Sequence, residues 1–597
     1  MTESVGLPPP GVILILGGLL LPLLRRAAPA VALLLPLLTL GYIWALPGDL
    51  NVTLPFMDQQ LTVLSWQPAT RVFATIFALM AFGGALFAHP ITGLASERGQ
   101  RWRVELPAAF VYAGSAICVT FAGDILTLFM FWELMAVGST AVVWSAGTAG
   151  SARAGMRYAL VHLVGGVVLM AGILAHVFAL QSQGVPDPLA LAHFAFGPAG
   201  FDALSCGPGD VAAWLILLGV LVNAAAPPLG AWLADAYPEA SESGTVFLSA
   251  FTTKTAVYVL MLLFAGTELL IYVGLAMAVY GIVYAILEND MRRILAYSLV
   301  NQVGFMVCGI GIGTAMALNG AAAHAFAHII YKALLLMSAG SVLYMTGKRK
   351  CTDLGGLYHS MPITMICGIV GALAISSFPL TSGFVTKSMV NQAAADQHLA
   401  LAWFVLTAAS AGVFLHAGIK FPWFVFFQKD SGLRPPDPPW NMRAAMIFFA
   451  ALCVLLGVPG VYQPLYAILP FPAPADVELY VPYTGAHVLS QLQLLLFSGL
   501  AFFVLLPVLK RTLTITLDSD WFYRTLAPAT WKHLLSPLMR AFGEVRDGFI
   551  GGLPDDLKRL VYSPPAEESW FREWGLGGAM ITITGILFVY LVLGFVP

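Results

Sequence analysis

The sequence predicts an all-α polytopic membrane protein: about fourteen core transmembrane helices with two inverted five-helix repeats, followed by extra C-terminal helices. Three observations predict it. The 597 residues include 29 Lys+Arg and 31 Asp+Glu, only 10% charged against 59% hydrophobic, whereas soluble chains carry roughly 25% charged residues. Mean hydropathy is +0.83. Apolar runs long enough to cross a bilayer recur along the chain, and basic residues gather in every second loop between them.

A helix needs roughly 18 or more apolar residues to span hydrocarbon. About sixteen such segments follow one another, near residues 11–24, 28–46, 70–89, 107–122, 124–146, 155–181, 209–232, 244–265, 267–287, 294–314, 317–346, 361–392, 400–428, 442–466, 487–509 and 575–596. They are continuous rather than alternating, which disfavours membrane strands. Loops after odd-numbered segments hold Arg25-Arg26, Arg98/Arg101/Arg103, Arg153/Arg157, Arg292-Arg293, Lys348-Arg349-Lys350 and Lys429/Arg434/Arg443. Loops after even-numbered segments hold Asp and Glu instead. Basic loops face the cytoplasm, so the chain is expected as a multi-pass protein of a bacterial inner membrane with both termini outside. One loop breaks the pattern: Asp235, Glu239 and Glu242 follow segment seven with no Lys or Arg. Residues 511–574 mix Trp521, Phe522, Trp531 and Phe542 with charges, as an amphipathic helix at the cytoplasmic interface would.

Segment seven contains Asn223-Ala-Ala-Ala-Pro227-Pro228 and segment twelve contains Ser376-Ser377-Phe378-Pro379. Proline breaks the helical ladder, and broken helices at membrane depth line cavities or protein. Their spacing of five segments suggests repeats over 107–265 and 267–428. An odd number of spans inverts the second copy, as transporters do. The remaining expected divisions are 1–106, 429–510, the interfacial 511–574 and a terminal span at 575–597.

Charges inside hydrocarbon cost at least about 2.5–3.5 kcal/mol and need a reason. Glu133, Lys254, His324, His328, Lys332 and Lys387 all lie inside segments. The spacing of four between His324, His328 and Lys332 puts all three on one helix face, where titratable groups can form a proton wire or satisfied polar contacts. Lys420, two residues before Pro422, reads as a snorkelling side chain. The six cysteines form no CxxC pair and suggest no haem, iron–sulfur or zinc site. No nucleotide-binding motif appears at a strand–helix junction, and the net charge of −2 argues against nucleic acid. No cofactor or metal is expected.

Several stretches together resemble a known family, the antiporter-like membrane subunits shared by respiratory complex I, Mrp-type cation/proton antiporters and membrane-bound hydrogenases. They are Leu126-Thr-Leu-Phe-Met-Phe-Trp-Glu133-Leu-Met, Pro228-Leu-Gly-Ala-Trp232-Leu-Ala-Asp235, Asn289-Asp290-Met-Arg292-Arg293, His324-Ala-Phe-Ala-His328-Ile-Ile-Tyr-Lys332, Asp353-Leu-Gly355-Gly356 and Ser382-Gly383-Phe384-Val-Thr-Lys387. The resemblance covers roughly residues 60–430. Pro438-Pro439-Trp440-Asn441-Met442 and Leu517-Asp518-Ser519-Asp520-Trp521 are more similar to the D-type branch of the Mrp antiporters than to complex I.

The resemblance implies a hydrated proton path at the membrane midplane. Glu133 matches the family's glutamate in helix five and Lys254 a lysine in helix eight. His324, His328 and Lys332 match the connecting relay, and Lys387 the terminal charge. One position departs: Asn223 stands where the family has a lysine that partners the glutamate. Either Lys254 takes over that pairing, or the first half conducts differently or not at all. The expected function is that of a proton-translocating component of a multisubunit complex, most plainly a Na⁺ or K⁺/proton antiporter, and not an enzyme as an isolated chain. The alternatives are a proton-pumping component of an NADH–quinone oxidoreductase or hydrogenase complex, or the membrane partner of an inorganic-carbon uptake system. Expected partners are other membrane subunits, the lipid bilayer, protons and a monovalent cation.

Overall fold

The computed structural model describes residues 7–56, 59–90, 93, 96–197, 208–471, 480–507, 518–519, 521–537 and 539–540. The chain divides into two compact units, one from Met1–Thr53 and Leu61–Thr516, the other from Leu54–Gln60 and Leu517–Pro597.

The first unit is helical almost throughout. It begins with α1 (Gly11–Leu20) and α2 (Ala28–Ala45), which fold back on each other at Arg25, where φ is 48°. Gly17 lies against Leu35, and the Tyr42 hydroxyl donates to the Pro8 carbonyl at 3.1 Å. Next in the chain come two short strands, Val52–Phe56 and Gln59–Leu64, whose Leu54–Gln60 portion belongs to the second unit and which the hydropathy pattern does not foretell. Then come α3 (Thr70–Ala88), α4 (Glu97–Phe121), α5 (Ile125–Trp144), α6 (Ala149–Ser182) and α7 (Pro208–Ala224). Helix starts are set by local chemistry. Asp124 caps α5 by accepting the Thr127 N–H at 2.7 Å, and Thr148 and Ser151 form a reciprocal capping box on α6.

Segment seven is broken where its prolines lie. Helix α7 ends at Ala224, Ala225 adopts φ 62°, and a short α8 (Ala231–Ala236) resumes after Pro227-Pro228. Segment twelve is broken likewise, into α14 (Pro362–Ile375) and α15 (Ser382–Asp396), with Ser377 at φ 59° and Leu380 at φ 68°. A third break has no proline. Segment eight consists of α9 (Gly244–Leu248) and α10 (Thr252–Leu263).

Between the breaks run α11 (Leu269–Leu287), α12 (Met291–Ile312) and α13 (Ala315–Thr346). Helix α13 is the axis of the unit. It is buried continuously from Ala317 to Val342 and packs on α3, α12, α14, α15 and α17. Helices α11 and α12 touch through Gly274 and Gly304, where a Cβ on either would strike the other's backbone, the close approach that small residues permit. Helix α16 (Ala400–Val413) continues through π-helical turns to Phe427. Helices α17 (Trp440–Leu455), α18 (Gln463–Tyr466) and α19 (Gly485–Leu505) complete the unit.

Among the described residues, eleven helical stretches are long and apolar enough to cross a membrane, and Val211–Ala224, Pro362–Ile375 and Trp440–Leu455 are shorter apolar helices. Taking the α1–α2 hairpin as two elements accounts for the segments expected up to residue 509. The terminal span expected at 575–596 lies outside the described residues, as does all of 541–574. In the second unit, helical turns run from Phe522 to Leu535, with Trp521, Phe522, Trp531 and Leu534 exposed.

The acidic loop after segment seven has a physical explanation. Asp235 is gripped by Arg157, Glu239 lies 2.9 Å from Arg349, and Glu242 lies 3.6 Å from Arg101. Arg292 donates to the carbonyls of Pro238, Ala240 and Ser241 at 2.7–2.8 Å. These four arginines come from the loops after segments three, five, nine and eleven. The loop therefore lies on the arginine-rich face and borrows its positive charge from neighbours.

Candidate functional site

The sequence points to six side chains as a relay: Glu133, Lys254, His324, His328, Lys332 and Lys387. All but Glu133 are fully or almost fully buried, and Glu133 is half-buried.

His324, His328 and Lys332 share one face of α13. The two imidazole centroids are 6.0 Å apart, and Tyr331 lies edge-on to His328 at 5.3 Å. The Tyr331 hydroxyl donates to Gln302 Oε1 at 3.1 Å and lies 3.5 Å from His324 Nδ1. Lys332 donates to Ser298 Oγ at 2.9 Å and the Leu295 carbonyl at 3.3 Å on α12. Among the described residues neither ring nitrogen of His328 has a partner, nor does His324 Nε2.

Lys387 extends the row. From α15 its ammonium donates to Ser410 Oγ at 3.0 Å and sits 4.5 Å from the centre of the Phe305 ring. Phe305 in turn stands 6.2 Å from His324. A cavity of about 830 Å³ reaches Lys387, lined by Ser388, Asn391, Gln392, Asp396 and Thr407 among others. Asp396 and Gln392 are at the far end of α15, so the cavity lies in the half of the unit opposite the arginine face.

Lys254 occupies the proline-free break. Its ammonium donates to the Ser249 carbonyl at 2.7 Å and Thr253 Oγ1 at 3.1 Å. Ser249 lies between α9 and α10, where backbone carbonyls are released from the helical ladder. The Tyr112 hydroxyl accepts the Thr252 N–H at 2.9 Å, satisfying the first donor of α10. Helix α10, which carries Lys254, packs on α12 and α13, the helices of the Lys332 row.

Glu133 stands apart. Its carboxylate lies over Gly166 of α6, where a Cβ would overlap Oε1, and Oε1 has no partner among the described residues. It is not paired with Lys254, whose ammonium is turned to the Ser249 carbonyl. The Glu133–Lys254 pairing that could replace the lysine absent at position 223 is not made in this conformation.

Lys420 does not snorkel. Its ammonium donates to the carbonyls of Ala285, Ile286 and Glu288 at 3.1, 2.5 and 2.5 Å, neutralising the C-terminal end of α11. Its flanking π-turns bring it there, and sequence spacing holds no sign of a partner on another element. Two further buried groups carry no clear signal in the sequence. Glu105 accepts from Ser241 at 2.6 Å and also from Ser243; it lies before Pro107, where the apolar run begins. His162 sits mid-α6 between Tyr158 and Trp232, with ring centroids 4.0 and 4.5 Å away. A lone histidine in an apolar run is hard to distinguish from its neighbours. Among the described residues no cluster of His, Cys, Asp and Glu is arranged to hold a metal ion.

Residues 122–414 match the family described as NADH:quinone oxidoreductase/Mrp antiporter, TM. The chain is 30% identical over 364 residues to one of the probable K(+)/H(+) antiporter subunits of Rhizobium meliloti (strain 1021), covering 58% of this chain and 35% of that one. It is 30% identical over 349 residues to an NADH-quinone oxidoreductase subunit of Desulforudis audaxviator (strain MP104C), the one designated N, covering 54% of this chain and 67% of that one. The chain thus spans about a third of the first relative's length and two thirds of the second's. A chain of the membrane-bound sulfane sulfur reductase, an archaeal respiratory membrane complex, shares the fold, with a TM-score of 0.69 at 22% identity over 98% of this chain and 100% of that one. The matched residues contain Glu133, Lys254, the α13 row and Lys387, and the chain belongs to the NADH:quinone oxidoreductase/Mrp antiporter family of membrane subunits.

Proposed function

We propose that this chain is a proton-translocating, antiporter-like component of a multisubunit complex in a bacterial inner membrane, exchanging a monovalent cation, Na⁺ or K⁺, for protons. The observation that carries this reading is the buried row Lys387–Phe305–His324–His328, with Lys332 on the same helix as the histidines and Lys254 on α10, which packs against that helix. Buried polar atoms without partners cost about 1–3 kcal/mol each, and the imidazoles of α13 carry three. Water along α13 relieves that cost and supplies what a proton needs to hop between groups too far apart to touch. Several ammonium groups in one low-dielectric core also repel one another. A proton gained at one end therefore drives release at the other. Each charge crossing 100 mV is worth about 2.3 kcal/mol, enough to drive exchange without nucleotide.

The inverted-repeat arrangement, 107–265 against 267–428, is part of the proposal. It is supported by the matching breaks after α7 and α14, each followed by residues of positive φ. The resemblance to the D-type branch of the Mrp antiporters favours the antiporter among the family's activities. The similarity to an oxidoreductase component, two thirds of which this chain covers, favours a second reading in which the same row pumps protons for a redox complex.

The test is proton flux in vesicles carrying the complete complex. His328→Ala and Lys387→Ala are expected to lower Na⁺- or K⁺-coupled flux at least tenfold with assembly intact. Wild-type flux in both would overturn the relay. Flux that follows a quinone reductant and ignores Na⁺ and K⁺ gradients would select the second reading.

A further inference from the structure

We propose that His162 is the proton partner of Glu133, its Nε2 taking up the proton that Glu133 releases over Gly166. The inference rests on the reading of Glu133 as a relay group and names what stands in for the lysine absent at position 223.

Three helices contribute one buried polar atom each without a partner among the described residues: Glu133 Oε1 from α5, His162 Nε2 from α6 and Asn223 Nδ2 from α7. His162 is 3% exposed and Asn223 2%. Glu133 and His162 meet on one stretch of α6, and α7 packs on the same stretch through Val222, next to Asn223 in the chain. Gly166 is the floor under the Glu133 carboxylate, and Gly165 lies against Val222, the neighbour of Asn223. His162 is three and four residues before these glycines, so it shares their face one turn away. The two glycines make this possible, because a side chain at Gly166 would occupy the space of the carboxylate.

The histidine is prepared for the role. Nδ1 lies 2.9 Å from the Tyr158 carbonyl, which can only accept, so Nδ1 carries the hydrogen. Nε2 is left with a free lone pair. Tyr158 stacked on one side and the edge of Trp232 on the other hold the ring in place, and Trp232 is fixed by its indole N–H bond to the Val222 carbonyl at 2.9 Å. Asn223 carries a neutral amide, with donors and a carbonyl acceptor but no basic nitrogen, and cannot take up a proton.

The Tyr237 hydroxyl, on a ring edge-on to Trp232, is buried without a partner among the described residues, and a neutral phenol is not a base; the following charged or titratable groups near α6 are engaged elsewhere. Asp235 is bound by Arg157, Glu239 by Arg349, and the Tyr158 hydroxyl donates to Ser139 at 2.9 Å. Lys254 is turned to the Ser249 carbonyl. The step conserves charge: the Glu133 O–H bond breaks, an N–H bond forms at Nε2, and a neutral acid and imidazole become carboxylate and imidazolium. Nδ1–H stays on the Tyr158 carbonyl throughout.

Vesicles carrying the complete complex test this with Glu133→Gln, His162→Gln and the double variant His162→Gln/Asn223→Lys. The expected result is that either single variant lowers coupled proton flux at least tenfold per assembled complex and that the added lysine restores a measurable part. If Glu133→Gln is inactive while His162→Gln keeps the wild-type flux and pH profile, His162 is not the partner and the relay reading stands. If both variants transport normally, the relay role of Glu133 falls and the proposal with it. Should His162→Gln assemble poorly, infrared titration of the Glu133 carboxyl in the purified remainder decides. A shifted titration supports the pair, and an unshifted one overturns it.

Discussion

Arg157 holds Asp235 through two hydrogen bonds, Nε to Oδ2 at 2.6 Å and Nη2 to Oδ1 at 2.8 Å. The arginine opens the helix after segment five, and the aspartate follows the break in segment seven. Their contact requires both loops to lie on one face, as alternation of the basic loops demands. Arg101, Arg292 and Arg349 reach the same loop from three other crossings. The loop that departs from the charge rule by composition obeys it by contact.

Asp235→Asn should therefore destabilise the protein without touching the α13 row. Removing one partner of a buried ion pair costs about 3–5 kcal/mol, and the partial exposure of Arg157, 29%, trims this to about 2–3 kcal/mol. Thermal unfolding of the purified complex in detergent reads it. Adding Arg157→Gln should recover part of the loss, since no unpaired charge then remains. An unchanged melting curve for Asp235→Asn would show the pair to be idle.

On the proposed relay, the break between α9 and α10 holds one group that acts only in folding and one that acts in transport. Tyr112→Phe removes the acceptor of the buried Thr252 N–H, an orphaned donor that costs about 1–3 kcal/mol, and coupled flux per assembled complex should stay near wild type. Lys254→Met takes the ammonium from the relay, and flux should fall at least tenfold. Equal flux in the two variants would contradict the distinction.

Much of this is legible in the sequence because it is local. Length and hydropathy fix most spans, and the breaks at Pro227-Pro228 and Phe378-Pro379 follow from a missing donor. The spacing of four places His324, His328 and Lys332 on one face. What is not legible depends on a partner far along the chain. The break at Ser249 has no proline, and what occupies its freed carbonyl is the Lys254 ammonium. His162 gains interest only once Gly166 brings Glu133 to the same face. A Glu133–Lys254 pair is available from charge alone, but the freed Ser249 carbonyl holds the lysine.

Lys420 makes the same point in reverse. By sequence it is one more lysine in an apolar helix, yet its bonds to the Ala285, Ile286 and Glu288 carbonyls make it a cap for α11. Hydrogen bonds to a charged group contribute about 1.5–3 kcal/mol. Lys420→Met should cost that much in thermal stability while flux per assembled complex is retained. A tenfold loss of flux with normal stability would move Lys420 into the relay.

The cavity at Lys387 makes a claim about sidedness. Helix α14 leaves the arginine-rich face, and α15 carries the chain on across the break to Asp396 at the opposite end. Gln392, Asp396 and Thr407 line the cavity at that end, so water should reach Lys387 from the side opposite the arginines. Gln392→Cys gives a thiol in the cavity wall. A membrane-impermeant thiol reagent should label it in right-side-out vesicles and not in inverted ones, with the arginine face cytoplasmic. The five cysteines of the described residues are all buried, and Cys206, which lies outside them in the loop after segment six, is replaced by serine in the background used for this test. In Gln392→Cys, labelling should also slow coupled flux, because the adduct fills the cavity through which the proposed relay has Lys387 exchange protons. Labelling from the arginine side would reverse the assigned direction of access. Labelling from the expected side with no effect on flux would mean that protons leave the row by another route.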